Sequence, residues 1–431
     1  MTESSRRNGR TFVGRATIRK LRIRLIPFLL VLYVIAFVDR INIGFAALTM
    51  NNELAITSQQ FGFAAGIFFF GYFLFEVPSN LLLHKIGARV WMSRILVSWG
   101  IIAVLTGFVS NVSQLYVARF LLGLAEAGYF PGIVLYLSYW FPQREQAQSI
   151  ALFMAGIPIA SILGSPVSGF ILDRIHWLNM SSWRWLLILE GAPAVLGGVL
   201  CYFLLPNRPK DAKFLADAEK DWLEQELERD RKTADDLSAI QALHNRRVWH
   251  LAMIGVTHAV ATYSISFWLP QLIKSLCGGS NTVIGFLLVI PYLVALIGMM
   301  LVSHHSDQTV ERRYHVIACA IAAGTAFVLL GTTHNIFFSV ALLSIAALGT
   351  FSLLPVFYAL PGEFLTGFSA ASGIALITSI ANLGGFAGPY AVGFIHDRTG
   401  SLYPGMAVVG ISLFMCAALT LLLPRRAHAA L

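Results

Sequence analysis

The sequence predicts an all-α membrane protein: twelve transmembrane helices in two pseudo-symmetric six-helix bundles. Three observations carry that prediction. The 431 residues are 57% hydrophobic and only 12% charged, with a mean hydropathy of +0.70. A soluble domain carries about 25% charged residues, so this chain could not cover a water-facing surface. Twelve apolar stretches each supply the ~20 residues that a bilayer-spanning helix needs. The third observation is a repeat: segments of the first half recur in the second at an offset of 224 residues.

In order, the first six predicted spans centre near Val34, Phe69, Val104, Leu124, Ile159 and Val195. The last six centre near Val260, Leu293, Phe327, Leu348, Ser379 and Phe414. The basic head of the chain runs straight into a full-length span, so no cleavable signal is expected. One polar stretch, Pro206 to Arg247, interrupts the pattern. It divides the chain into an N-terminal bundle (1–205), a linker (206–247) and a C-terminal bundle (248–431). Phe214, Ala218 and Trp222 recur there at helical spacing, which predicts a short amphipathic helix on the membrane surface.

The two halves share sequence. Gly169-Phe170-Ile171-Leu172-Asp173-Arg174 ends the fifth span and Gly393-Phe394-Ile395-His396-Asp397-Arg398 ends the eleventh; Gly164 matches Gly388 at the same offset. The turn after the second span reads His84-Lys85-Ile86-Gly87-Ala88-Arg89. Its counterpart after the eighth carries Ser306-Asp307 and Glu311-Arg312-Arg313. Two parallel six-helix repeats suggest a transporter whose binding site lies between them.

Charge placement gives the orientation. The net charge is +9, and about 25 of the 31 Lys and Arg fall on the side that holds both termini. Only Arg174, Arg184, Lys274 and Arg398 fall on the other side. Both termini are therefore expected in the cytoplasm, and topology accounts for the basic balance without a nucleic-acid partner. Cys201, Cys277, Cys319 and Cys416 are scattered through apolar segments, at spacings that fit neither zinc nor a disulfide framework. His304-His305-x-Asp307 ends a span with no fourth ligand nearby, so no metal site is expected. No phosphate-binding G-x-x-x-x-G-K-[ST] loop and no nucleophile triad is present, which excludes ATP drive and covalent catalysis.

Charges inside the spans point to the site. Asp39 and Arg40 interrupt the first; Arg119 and Glu126 interrupt the fourth. A charge at the bilayer centre costs at least ~2.5 kcal/mol on insertion scales, so such groups pair or line a wet cavity. Arg119 and Glu126 are seven residues apart, two helical turns, and share one face. Asp39 and Arg40 point about 100° apart and can serve different partners.

Certain motifs resemble the major facilitator superfamily over essentially the whole chain. They are Asp39-Arg40-x-Asn42, Phe75-Glu76-Val77-Pro78-Ser79-Asn80, Arg119-x-x-x-Gly123-x-x-Glu126-Ala127-Gly128, Trp183-Arg184-Trp185 with Leu189-Glu190-Gly191, and Phe267-Trp268-Leu269-Pro270. More narrowly the chain is similar to the anion:cation symporter family, which includes tartrate, phthalate, hydroxyphenylacetate, aldarate and galactonate permeases. The resemblance implies that the first and fourth spans face each other across the N-terminal half of a cavity. One residue departs from it: His84 stands where the superfamily's loop normally has an acid, whereas Asp307 keeps the acid in the second half.

The expected site follows. Arg40 is the substrate clamp, because a guanidinium stays charged and grips a carboxylate bidentately. Arg119 is a second clamp or the partner of Asp39. Tyr72, His258 and Asn382 offer a phenol, an imidazole and an amide to the substrate. Glu126 is the leading proton-coupling residue and Asp39 the second. Glu76 with Pro78, and the turn residues Lys85, Gly87, Arg89, Asp307 and Arg312, are expected in gating or structure; Glu190 is expected at a helix–helix contact or a gate. The expectation is a proton-coupled importer of a small organic anion in a bacterial inner membrane. It would act as a monomer, need no cofactor beyond the proton, and be no enzyme. A proton-coupled exporter and a non-transporting sensor are the alternatives.

Overall fold

The structure, a computed structural model, describes residues 3–232, 245–361 and 367–423. Fifteen α-helices of ten or more residues run through them, with no strand among the described residues. The first bundle comprises α1 (Glu3–Glu53), α2 (Ser58–Ile86), α3 (Ala88–Thr106), α4 (Val112–Glu126), α5 (Tyr129–Ser138), α6 (Gln143–Met154), α7 (Gly156–Arg174) and α8 (Ser182–Leu204). The linker holds α9 (Asp217–Lys232). The second bundle comprises α10 (Arg246–Cys277), α11 (Asn281–Thr309), α12 (Arg313–Leu329), α13 (Ile336–Ala359), α14 (Gly367–Thr399) and α15 (Tyr403–Leu421).

Among the described residues, eleven segments are long and apolar enough to cross a bilayer. The twelfth span is α14, 33 residues long, which packs between α10 and α2. Two predicted spans are each built of two helices. The fourth breaks after Glu126: Ala127 is extended and Gly128 takes a left-handed φ of 83°. A side chain at position 128 would also strike the Ser79 hydroxyl, so glycine is required there. The fifth breaks at Ala155, between α6 and α7.

The linker is not a loose tether. Before Pro27, α1 extends as a helix beyond the span, and α9 packs on that extension. Lys20 pairs with Glu219 at 2.7 Å and the Trp222 ring covers Gly14, while Phe214 stacks on Trp140. Residues 209–232 are therefore fastened to the first bundle. The rest of the predicted linker, 233–244, and the basic pair Arg425 and Arg426 lie outside the described residues.

The pseudo-symmetry seen in sequence reappears in packing. Inside the bundles, α3 pairs with α8 and α12 with α15; between them, α2 pairs with α14 and α7 with α11. The repeated Gly-Phe-Ile-x-Asp-Arg segments close the face opposite the termini. The Asp173 carboxylate accepts the N–H groups of Asn281 (3.1 Å) and Thr282 (2.7 Å), the first residues of α11. The Asp397 carboxylate accepts those of Ser58 (2.9 Å) and Gln59 (2.8 Å), the first residues of α2. Each carboxylate thus caps a helix N-terminus of the other bundle, where free donors and the helix dipole favour an anion. Gly169 and Gly393, one turn earlier, let the backbones meet: a side chain at either would strike the Asn281 or Ser58 carbonyl.

Replacing both aspartates by alanine is expected to open this face. Loss of a capping side chain costs about 0.5–2 kcal/mol, so two losses shift the equilibrium at least about fivefold. The measure is the labelling rate, from the opposite face, of a single cysteine at Ala259 in a chain otherwise free of cysteine. An unchanged rate would show that the caps do not hold the face shut.

Candidate functional site

A cleft of about 740 Å³, its mouth included, lies between the bundles. Aromatic side chains, among them Tyr33, Tyr72, Tyr263 and Tyr358, line much of it, together with Arg40, His258 and Asn382. Helices α1, α2, α5, α6 and α7 supply one wall; α10, α13 and α14 supply the other. Phe130 and Tyr358 face each other across the cleft with ring centroids 6.2 Å apart.

Arg40 is the charged group of that lining. Its guanidinium pairs with Glu126, and its Nη1 donates to the Tyr263 hydroxyl at 3.4 Å. The rings of Phe37, Phe68 and Tyr72 lie 5.4–5.9 Å from it, close enough for their π faces to favour the cation. Both charges of the pair are buried. Glu126 is the last residue of α4, so the helix break after it fixes its position opposite α1. Arg40 therefore touches the fourth span and, through Tyr263, the second bundle, and its Nε has no partner.

Asp39 points elsewhere, as its 100° offset requires. Its Oδ2 accepts the Trp99 indole N–H at 2.5 Å and its Oδ1 accepts the Asn42 amide at 3.2 Å. Arg119 stands behind this group and does not line the cleft. Its Nε donates to the Ala64 carbonyl at 3.4 Å and its guanidinium lies 5.1 Å from the Phe68 ring. It forms no ion pair among the described residues, and its Nη2 has no partner. It lies within electrostatic reach of Asp39 and Glu126. In this geometry Arg119 sets the local potential; Arg40 is the guanidinium that meets the cleft.

The other predicted groups fall on two sides of the cleft. Tyr72 comes from the first bundle. His258 and Asn382 come from the second. The His258 Nε2–H donates to the Thr350 carbonyl at 2.8 Å, which holds the ring across α10 and α13. Glu76, buried one turn beyond Tyr72, bridges the bundles: its Oε2 accepts the Ser379 hydroxyl at 2.7 Å, with Asn382 beside it. Pro78 follows inside α2 and leaves the Ser79 and Asn80 turn to meet Gly128 and the Glu76 carbonyl.

The turn residues lie far from the cleft, toward the termini. Gly87 takes a φ of 98° between α2 and α3. The Arg89 N–H donates to Asn207 at 3.0 Å, and the exposed Lys85 adjoins them. His84, in the place of the missing acid, meets the Tyr139 hydroxyl at 3.1 Å. In the second bundle Asp307 pairs with Arg312. None of these contacts joins the two bundles. Sequence reasoning missed Trp99, Tyr263, Tyr33 and Tyr358. Tyr33 lies two turns before Arg40, a helical phase that places it on the lined face, and Tyr263 lies one turn after Ala259, which also lines the cleft.

Chemically, a buried guanidinium already engaged by a carboxylate of the protein can exchange it for a carboxylate of a guest. The aromatic walls suit a small body and the amide and phenols suit its oxygens.

Residues 29–389 and 272–431 match the sequence profile described as Major Facilitator Superfamily. A protein named "Putative tartrate transporter" from Agrobacterium vitis is 45% identical over 412 residues, spanning 95% of this chain and 91% of that one. A "Quinolone resistance transporter" of Acinetobacter baumannii is 38% identical over 406 residues, 94% of each chain. Among solved structures, a bacterial homologue of the human lysosomal transporter Spinster, inward-facing and occupied, superposes with a TM-score of 0.75 at 16% identity. It covers 93% of this chain and 96% of its own, and shows a shared fold.

Proposed function

The chain belongs to the Major Facilitator Superfamily, a multi-pass membrane transporter rather than an enzyme, and from that premise we propose that it imports a small organic anion together with protons. The observation that carries the reading is Arg40, buried between Glu126 and Tyr263 on the wall of an aromatic cleft between the bundles. The name of the 45% identical relative supports a carboxylate substrate.

The cycle runs as follows. A substrate carboxylate enters and takes the guanidinium fork of Arg40, displacing Glu126. Glu126, now without its cation in a closed interior, accepts a proton. Anion and proton are then bound together, which symport requires thermodynamically. Rocking of the bundles about the cleft opens the other face, and loss of the proton restores the Arg40–Glu126 pair and expels the anion. No cofactor other than the proton takes part, and one chain suffices. Uptake into proteoliposomes from a panel of organic acids, with and without an imposed pH gradient, tests this. Uptake of an acid that rises with an inwardly directed proton gradient is expected; gradient-independent uptake of every acid overturns the coupling.

The proposed site is a bacterial cytoplasmic membrane with both termini inside, on the strength of the lysine and arginine asymmetry. A cysteine probe at position 220, on α9, is expected to react only after the cells are opened. Labelling of intact cells would reverse the topology. The relative named for quinolone resistance favours a second reading, export of drug-like molecules. Accumulation of a quinolone in inverted but not right-side-out vesicles would select it.

A further inference from the structure

Charge is scarce on the wall of the cleft. Among its described lining residues Arg40 is the only lysine or arginine. His258 is the other base there. Its Nε2 already serves the Thr350 carbonyl at 2.8 Å, and it forms no ion pair among the described residues that would hold a second proton on the ring. The buried carboxylates around the cleft, Glu126 on Arg40 and Glu76 one turn from Tyr72, add negative charge and no positive charge.

Helix register gives the cleft a direction. Arg40 and Tyr263 meet at one level. The first and seventh spans, α1 and α10, run the same way. Tyr33, seven residues before Arg40, lies about 10 Å back along α1, and Gly255, eight residues before Tyr263, lies about 12 Å back along α10. That far level is apolar. The junction of α6 and α7 packs on Tyr33, whose ring centroid is 4.1 Å from that of Phe153, and a side chain at Gly156 would strike the same ring. Met154 and Ile157 bring this junction onto the cleft wall. On the other wall the Phe357 ring lies against Gly255. Phe130, its ring 6.1 Å from Tyr33, meets Tyr358 across the cleft and closes this end.

Resting on the organic-anion reading above, we propose that the site selects an aryl monocarboxylate: a single carboxylate on Arg40, and a flat apolar body reaching toward Phe130 and Phe357. A second carboxylate would lie at the apolar end without a cation, or crowd Glu126 and Glu76. Either placement leaves an uncompensated charge in a low-dielectric interior. An aryl body instead meets rings on both walls, in the offset and edge-on contacts that aromatic pairs favour. The span of about 10 Å suits a benzene ring on a short acid side chain, so head and body reach their partners together.

Calorimetry on the purified full chain at neutral pH tests this, with 3-phenylpropanoate, tartrate and glutarate as the probes. 3-Phenylpropanoate is expected to bind at least ~100-fold more tightly than either diacid, the penalty for a second buried charge. Equal or tighter binding of either diacid overturns the proposal. A reciprocal variant supplies the missing cation. Met154→Arg places a guanidinium at the apolar end and is expected to raise glutarate affinity at least ~10-fold while weakening 3-phenylpropanoate. Unchanged glutarate affinity in the folded variant overturns the proposal. Should Met154→Arg not fold, Ile157→Lys makes the same test from α7, and an unchanged affinity there overturns it equally. Failure of the organic-anion reading looks different: no acid, with one carboxylate or two, binds the native chain. Binding of diacids without preference for the aryl acid leaves that reading intact and overturns the selectivity alone.

Discussion

Arg40→Ala is expected to abolish substrate binding, and Arg40→Lys to restore little of it. Truncating one member of a desolvated, hydrogen-bonded charge pair costs ~2–5 kcal/mol, a fall in affinity of well over tenfold. Two losses add here. The guest carboxylate loses its bidentate donor, and Glu126 is left buried without its cation. Lysine keeps the charge but is a point donor on a flexible stem, so it cannot span two oxygens while keeping the Tyr263 contact. The three rings around the guanidinium also suit a flat, weakly hydrated cation better than an ammonium. The double variant Arg40→Ala with Glu126→Gln separates the two losses: it removes the orphaned charge, is expected to recover thermal stability, and still fails to bind. Calorimetry on folded protein is the measure. Near-native affinity in Arg40→Ala would remove Arg40 from the site.

What could be read in advance was what the membrane makes expensive. A guanidinium or carboxylate inside an apolar span needs a reason, so Asp39, Arg40, Arg119 and Glu126 stood out in a string of letters. Tyr72, His258 and Asn382 stood out less, yet all three line the cleft with Arg40. The repeat at 224 residues announced two bundles and drew attention to Asp173 and Asp397. It could not announce that each caps a helix of the other bundle, because the capped residues lie 108 and 339 positions away. Trp99 and Tyr263 were illegible for another reason. A neutral aromatic residue in a membrane helix is ordinary packing until the rotation of that helix is known. Arg119 shows the limit of the facing rule. It shares a face with Glu126, but two turns of separation carry it from the cleft wall into the polar interior between α2, α4 and Asp39. The break at Gly128 was hidden as well, since glycine within a membrane helix more often marks close packing than an interruption.

Glu126→Gln is expected to part binding from accumulation. The amide mimics the protonated acid, the state in which the cycle above has Glu126 when substrate occupies Arg40. It no longer competes with the guest for the guanidinium, so affinity holds or rises, and exchange of labelled for unlabelled substrate across the membrane continues. What is lost is the step in which deprotonation re-forms the Arg40–Glu126 pair and drives the anion off. Without it a pH gradient has no purchase on the substrate equilibrium, because a coupling free energy between two ligands vanishes when one of them cannot bind or leave. Proteoliposomes with matched and mismatched pH give the two readouts, counterflow and concentrative uptake, from one preparation. Counterflow near the native rate with no gradient-driven accumulation is the expected pair. If Glu126→Gln still concentrates substrate with native pH dependence, coupling does not reside there. Asp39→Asn then decides: loss of accumulation would place coupling on α1, where Trp99 and Asn42 already hold that carboxylate, and its persistence would clear α1 as well.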